Sequence, residues 1–256
     1  MGGLEVLIAI LGGFFAGIIN TLAGSGSAIT LTILTEVLGL PGNVANGTNR
    51  IGVFTQSAAG SFAFYQNDRL DLKRSRPYFI ATVVGAVTGV LVAVMVSNAQ
   101  FKFVFRWLMV GLLLLILIRP KRWLRETDPD GSVKYWIAIP TFLAIGFYGG
   151  FIQMGMGVVF LAAMVLGAKY SIIDANAVKL SVVAFYTVLV IAIFHYQGLI
   201  EWWVGAVLAI GQTVGGYLTA HYASRMPQAN VWAHRLLVVV VVGAIIKMFS
   251  LWEYVI

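Results

Sequence analysis

The chain has 256 residues, 60% of them hydrophobic and 11% charged, with a formal net charge of +7 and a mean hydropathy of +0.90. Soluble domains carry about 25% charged residues, so this composition excludes an ordinary soluble fold and predicts an all-α polytopic membrane protein. The lack of cysteine excludes disulfides, thiolate metal sites and iron–sulfur clusters, and the clustering of basic residues in the loops argues for a cytoplasmic-side bias and against nucleic acid as a partner.

The first apolar span runs from about Leu4 to Leu40, too long for one crossing of a core about 30 Å thick, which needs about 20 residues. Within it, GFFAGIINTLAGSGS (13–27) sets Asn20, Thr21, Ser25 and Ser27 among the glycines Gly24 and Gly26 near the middle. That predicts a break, and a broken helix survives at membrane depth only where its freed backbone groups face protein or a water-filled cavity. Transporters build substrate sites in this way. The N-terminus has no basic segment or small-residue cleavage site, so no cleavable signal peptide is expected.

GLPGNVANGTNR (39–50) reads as a turn and a helix start, leading into a second span at 47–66. The loop QNDRLDLKRSRP carries Arg69, Lys73, Arg74 and Arg76, and spans at about 77–97 and 102–119 follow. RPKRWLRETDPDGSVK (119–134) is the most polar segment and divides the chain into an N-terminal transmembrane repeat, 1–125, a polar cytoplasmic linker, 126–134, and a C-terminal transmembrane repeat, 135–256. From Tyr135 the order recurs: a broken span to about Gly167, then spans near 175–196, 202–222 and 233–252.

The second break is GFYGGFIQMGMG (146–157), with Gln153, Gly155 and Gly157. Setting Gly13 on Gly146 pairs Gly17 with Gly150, Asn20 with Gln153 and Gly24 with Gly157. Further on, with small gaps, Ala45-Asn46-Gly47 matches Ala175-Asn176-Ala177, Phe64 matches Phe194, Asp71 matches Glu201, and Gly85 and Gly89 match Gly211 and Gly215. A period of about 130 residues means a duplicated membrane unit. The loops at 67–76 and 119–134 are strongly basic and should be cytoplasmic, whereas 197–203, the counterpart of 67–76, has no Lys or Arg, and Lys169 and Arg225 lie in the loops on either side. This reversal needs an odd number of crossings per half, hence two inverted repeats with about 8 to 10 membrane segments. Two short helices at each break give ten crossings; re-entrant hairpins give six crossings and two hairpins, and spacing does not choose between them.

Asn46, Thr48, Asn49 and Arg50 stand at the start of the second span, and Asn176 and Lys179 at the equivalent start in the second half. Positions 46, 49 and 50 share a helical face, as do 176 and 179. Each half thus offers an amide and a cation, to which helix N-termini would add N–H donors and the breaks hydroxyl, amide and backbone donors, together an anion site. The plainer readings are cations snorkelling from helix ends, asparagines acting as N-caps, and Gly13, Gly17, Gly85 and Gly89 as close-packing surfaces. His195, near a span end, reads as interfacial, with proton coupling as the sharper alternative. Trp107, Trp123, Trp136, Trp202 and Trp203 fit an aromatic belt. No cofactor, metal-ligand cluster or catalytic triad is indicated.

GFFAGIINTLAGSGS followed by ANGTNR, and GFYGGFIQMGMG followed by ANAVK, together resemble the sulfite exporter TauE/SafE family, also called the toluene sulfonate uptake permeases, over essentially the whole chain. The resemblance implies a permease of a bacterial or archaeal inner membrane, moving sulfite, sulfoacetate or another sulfonate, with lipid as its surroundings and a homodimer compatible. The family pattern leads one to expect a fuller glycine run where this chain has Gly24-Ser25-Gly26-Ser27. The expected function is a secondary transporter working by alternating access around a midplane anion site, in which Arg50 and Lys179 neutralise the anion and Asn46, Asn49 and Asn176 donate to it. An anion channel, or an intramembrane enzyme or assembly factor acting on a lipid-borne substrate, are the alternatives.

Overall fold

The computed structural model describes residues 1–70, 72–117 and 134–222, with 242, 245 and 246. The segment 119–133 with Trp123, the loop bearing Arg225 and, those three residues apart, the last predicted span lie outside the described residues. All regular structure among the described residues is helical: α1 (Gly3–Ala23), α2 (Ser27–Thr32), α3 (Gly42–Gln66), α4 (Leu72–Ala93), α5 (Asn98–Leu117), α6 (Tyr135–Phe151), α7 (Met156–Ala162), α8 (Ile172–Tyr196) and α9 (Trp202–Tyr222). The short helices α2 and α7 each run on into a π-helical turn, Ile33–Val37 and Ala163–Gly167.

The helices at Gly3–Leu22, Lys73–Ala93 and Ile172–Tyr196 are long and apolar enough to cross a membrane by length and composition. Leu4, Leu7, Leu11 and Phe15 of α1, Ile80, Val84 and Leu91 of α4, and Ile210, Val214 and Leu218 of α9 form exposed apolar stripes at helical spacing, the surface a bundle presents to lipid. Trp107, Trp136, Trp202 and Trp203 are exposed.

Both predicted breaks are hairpins. Gly24 ends α1 in the left-handed conformation, φ 72°, which glycine adopts without the clash a Cβ would bring. The chain then turns back: Gly26 lies against the Ala16 carbonyl and Gly12 against Ile33, so α2 runs antiparallel along α1. In the second half, Gln153 and Gly155 both have positive φ, and Phe160 of α7 stacks edge-on with Phe142 of α6 at 5.2 Å. Of the two geometries left open by spacing, these contacts select re-entrant hairpins.

The hairpins exchange partners. Gly13 and Gly17 of α1 sit against the backbone of α9 at Leu208 and Gln212, while Gly211 and Gly215 of α9 sit against Ile10 and Phe14 of α1. In the matching positions, Gly146 and Gly150 of α6 face Thr82 and Ala86 of α4, whose Gly85 and Gly89 face Leu143 and Phe147. These glycines are the close-packing surfaces expected of them, because backbones this near leave no room for a Cβ. Each half's first helix therefore packs on the other half's α4 or α9.

Between them, α3 and α8 run antiparallel along one another. Gly47 lies beside Phe194 and Gly60 beside Leu180, and the Ser61 and Ser181 hydroxyls are 2.6 Å apart. Because the chain is free of cysteine, Ser61→Cys with Ser181→Cys should form an internal disulfide on mild oxidation. Maleimide labelling checks it: two thiols that stay reactive after oxidation would contradict this packing.

Loop contacts collect at the two ends of the bundle. At one end the Gly42 amide donates to Asn98 Oδ1 at 2.6 Å and the Glu201 amide to Thr48 Oγ1 at 2.9 Å; the turns there, 38–41, 94–97 and 197–201, hold no Lys or Arg. At the other end Arg74 donates to the Lys169 carbonyl at 3.3 Å and lies over the Tyr170 ring, 4.5 Å from its centroid.

Candidate functional site

The polar groups of the two hairpin tips converge inside the bundle. Gly24 and Gly157, paired by the repeat, touch each other there: the Gly157 amide donates to the Gly24 carbonyl at 3.2 Å, and a Cβ on either would stand 2.3 to 2.4 Å from the other's Cα. Near this contact α1 and α6 end, so each presents carbonyls that no further helical turn satisfies.

Arg50 and Lys179 meet those carbonyls. Arg50, fully buried, donates to the carbonyls of Gly149 at 2.7 Å and Gly150 at 2.9 Å, to Gln153 Oε1 at 2.9 Å and to Asn46 Oδ1 at 3.1 Å. Lys179, 2% exposed, donates to the carbonyls of Asn20 at 3.1 Å and Thr21 at 3.2 Å. Each cation thus sits at the negative end of the opposite half's first helix, where a positive charge is favoured. Among the described residues the N-terminus pairs with Glu5, and neither cation has a carboxylate partner. Snorkelling is excluded by this burial and by these partners.

The asparagines follow the same crossing. Asn46 donates to the Phe151 carbonyl at 2.7 Å and Asn176 to the Thr21 carbonyl at 2.8 Å. They are not N-caps: α3 starts at Gly42 after Pro41, and α8 is capped by Ser171, whose hydroxyl accepts the Asp174 amide. Consequently the N-termini of α3 and α8 lie a turn away, and those that reach the bundle interior belong to α2 and α7.

One expectation changes in geometry. The pairing of Ser61 with Ser181 sets Lys179 level with about residue 63 of α3, so at 1.5 Å per residue its Cα lies roughly 20 Å along the bundle from that of Arg50. The two cations do not face each other across one point; they flank the tip contact from opposite ends, because antiparallel helices carry equivalent residues to opposite depths.

Asn49 accepts from Thr30 Oγ1 at 2.6 Å, close to Ser27, and these three with Ser25 are buried under the first hairpin. Gly26 packs on α1. Three residues lie elsewhere: Thr48 holds the 197–201 turn, Gly155 faces Leu112 of α5, and His195 lies at the end of α8 against Trp202, ring centroids 5.3 Å apart. Residues not foreseen are Gln56 and Tyr186. Asn20 donates to Gln56 Oε1 at 2.8 Å, Gln56 in turn donates to Thr21 Oγ1 at 3.1 Å, and Tyr186 donates to Gln153 Oε1 at 2.6 Å. Gln56 and Tyr186 are 130 residues apart, so the period that pairs Asn46 with Asn176 also pairs them. That signal was available.

The sequence profile described as sulfite exporter TauE/SafE matches residues 9–248, nearly the whole chain. The chain belongs to the sulfite exporter TauE/SafE family. It is similar to a "Probable membrane transporter protein" of Haemophilus influenzae, 30% identical over 223 residues and 85% of each chain. It also resembles "Probable membrane transporter protein ORF9" of a Sinorhizobium species, 26% identical over 93% of this chain and 89% of that one, and "Probable membrane transporter protein YunE" of Bacillus subtilis, 22% identical over 94% and 96%. No solved structure matches. This TauE/SafE protein is therefore a multi-pass membrane transporter, and the paired hairpin tips with their two buried cations are its candidate anion site.

Proposed function

We propose that this TauE/SafE protein carries a small sulfur-containing oxyanion, sulfite or an organosulfonate, across a bacterial or archaeal inner membrane by alternating access. The observation that carries this reading is a pair of buried cations with carbonyls and amides as partners, one at each hairpin tip. A cation carrier would need carboxylates there. An anion between the tips would draw on Arg50 from one side and Lys179 from the other, exchanging their carbonyl contacts for its oxygens.

Inverted repeats, 1–125 and 135–256 about the linker 126–134, account for the rest. Equivalent helices α3 and α8 run in opposite directions. With the span predicted near 233–252 as the last, three crossings and one hairpin per half would give the odd parity that inversion requires. The end without Lys or Arg in its turns then faces outward, and the end with the 67–76 loop and Lys169 faces the cytoplasm. Burial of both cations favours a carrier in a closed state over an anion channel, which keeps a continuous water path.

Flux of sulfite into proteoliposomes tests the reading. Lys179→Gln retains a donor for the Asn20 and Thr21 carbonyls but removes the charge, so it should stay folded and lose about tenfold or more in flux, the effect of 1.4 kcal/mol or more. Wild-type flux in the variant would remove Lys179 from the path.

A further inference from the structure

Gln212 of α9 has no role in the network above, yet it is fully buried and both its Nε2 and its Oε1 lack a hydrogen-bond partner. Its place is built for it. Position 52 of α3 is a glycine, and a Cβ there would stand 1.6 Å from Gln212 Oε1 and 2.7 Å from its Cδ. The arrangement is reciprocal, since Gln56 of α3 lies over Gly216 of α9, where a Cβ would stand 2.2 Å from its Cγ. Gln56, however, uses both ends of its amide, accepting from Asn20 and donating to Thr21. Two like side chains lie in two like notches, one satisfied and one not.

A buried amide with neither atom paired is rare in natural structures and points to a missing partner. Gly52 and Gln56 stand one turn apart on the same face of α3, so Gln212 lies one turn from the contacts of Gln56 with Asn20 and Thr21, whose carbonyls accept from Lys179. The missing partner must accept from Nε2 and donate to Oε1. A fully deprotonated oxyanion can only accept, and a sulfonate, with no acidic proton, is limited in the same way. A singly protonated oxyanion presents an oxygen and an O–H on neighbouring edges, the complement of a carboxamide.

We infer that Gln212 is a specificity residue that pairs through both amide atoms with the O=S–OH edge of a singly protonated oxyanion, so that the carried species is the hydrogen form and brings its own proton. This rests on the oxyanion reading above and names the protonation state it left open.

The test compares sulfite with methanesulfonate, which has the same single charge but no O–H, as substrate and as competitor in proteoliposomes of the full chain. Wild-type flux should track the hydrogensulfite fraction as pH changes. Gln212→Leu should raise KM for sulfite about tenfold, the loss of roughly one paired amide, with KM for methanesulfonate within about twofold of wild type. Gln212→Asn, with the same amide on a shorter arm, should fall between them. Gel filtration and thermal unfolding confirm that each variant is folded. Equal change for both anions, or none, while wild type transports would overturn the pairing alone. If wild type moves neither anion, the oxyanion reading fails and this inference falls with it.

Discussion

Arg50→Ala is expected to abolish transport and to destabilise the protein by about 3–5 kcal/mol, the cost of breaking a buried charged network from one side. Three acceptors lose their donor at once, the Gly149 and Gly150 carbonyls and Asn46 Oδ1, while Gln153 Oε1 loses one of two and keeps Tyr186. Each would stay buried without water to replace it. Arg50→Lys separates charge from shape. An ammonium keeps the charge but cannot present the planar fork that reaches two successive carbonyls, so this variant should fold and transport at a reduced rate. Thermal unfolding in detergent gives the stability term and proteoliposome flux the functional one. Should Arg50→Ala transport at the wild-type rate once stabilised, Arg50 is a helix-end clamp and no part of the anion path.

The second large effect belongs to the tip contact, and three alanine substitutions resolve its causes. Gly24→Ala combines a left-handed backbone, φ 72°, with a Cβ 2.3 Å from the Gly157 Cα. Gly157→Ala meets the collision alone, 2.4 Å from the Gly24 Cα, whereas Gly39→Ala meets the backbone strain alone, φ 67° with nothing within 4 Å. The left-handed conformation costs a residue with a Cβ about 1–2 kcal/mol. Gly39→Ala should therefore lower stability by that amount and leave flux unchanged. Gly157→Ala should abolish flux, because backbone cannot move aside as a side chain can, and Gly24→Ala should do both. Flux in Gly157→Ala equal to wild type would mean that the tips separate without consequence, contrary to a path between them.

Much of this protein could be read before any coordinates. Hydropathy placed it in the membrane, and glycines beside Asn20, Thr21 and Gln153 marked breaks that occur at Gly24 and at 152–155. These are local properties: a glycine that needs φ > 0 or a polar residue inside an apolar run has its meaning within a few residues. The matched spacing of the two glycine-bearing segments was equally legible, since spacing survives in the order of residues, and it paired Gly24 with Gly157, which touch. The candidate site was read in part. Asn46, Asn176, Arg50 and Lys179 stood out as polar groups in apolar spans. Gln212 did not, and Gln56 and Tyr186 were marked only by their spacing of 130 residues, because a single amide or phenol in a helix is common and gains its significance from what faces it.

What the fold added concerns distance between segments far apart in sequence. Whether a broken span doubles back or crosses twice depends on whether α2 finds its packing surface on α1, as it does at Gly12 and Ala16. The exchange by which α1 packs on α9 and α6 on α4, and the antiparallel run of α3 beside α8, place Arg50 and Lys179 at opposite depths although they hold nearly the same position in the repeat. Residue order records what each segment can bury or satisfy. Which segment it meets, and at what height in the bundle, depends on close packing over the whole molecule, and that arises only when the helices assemble.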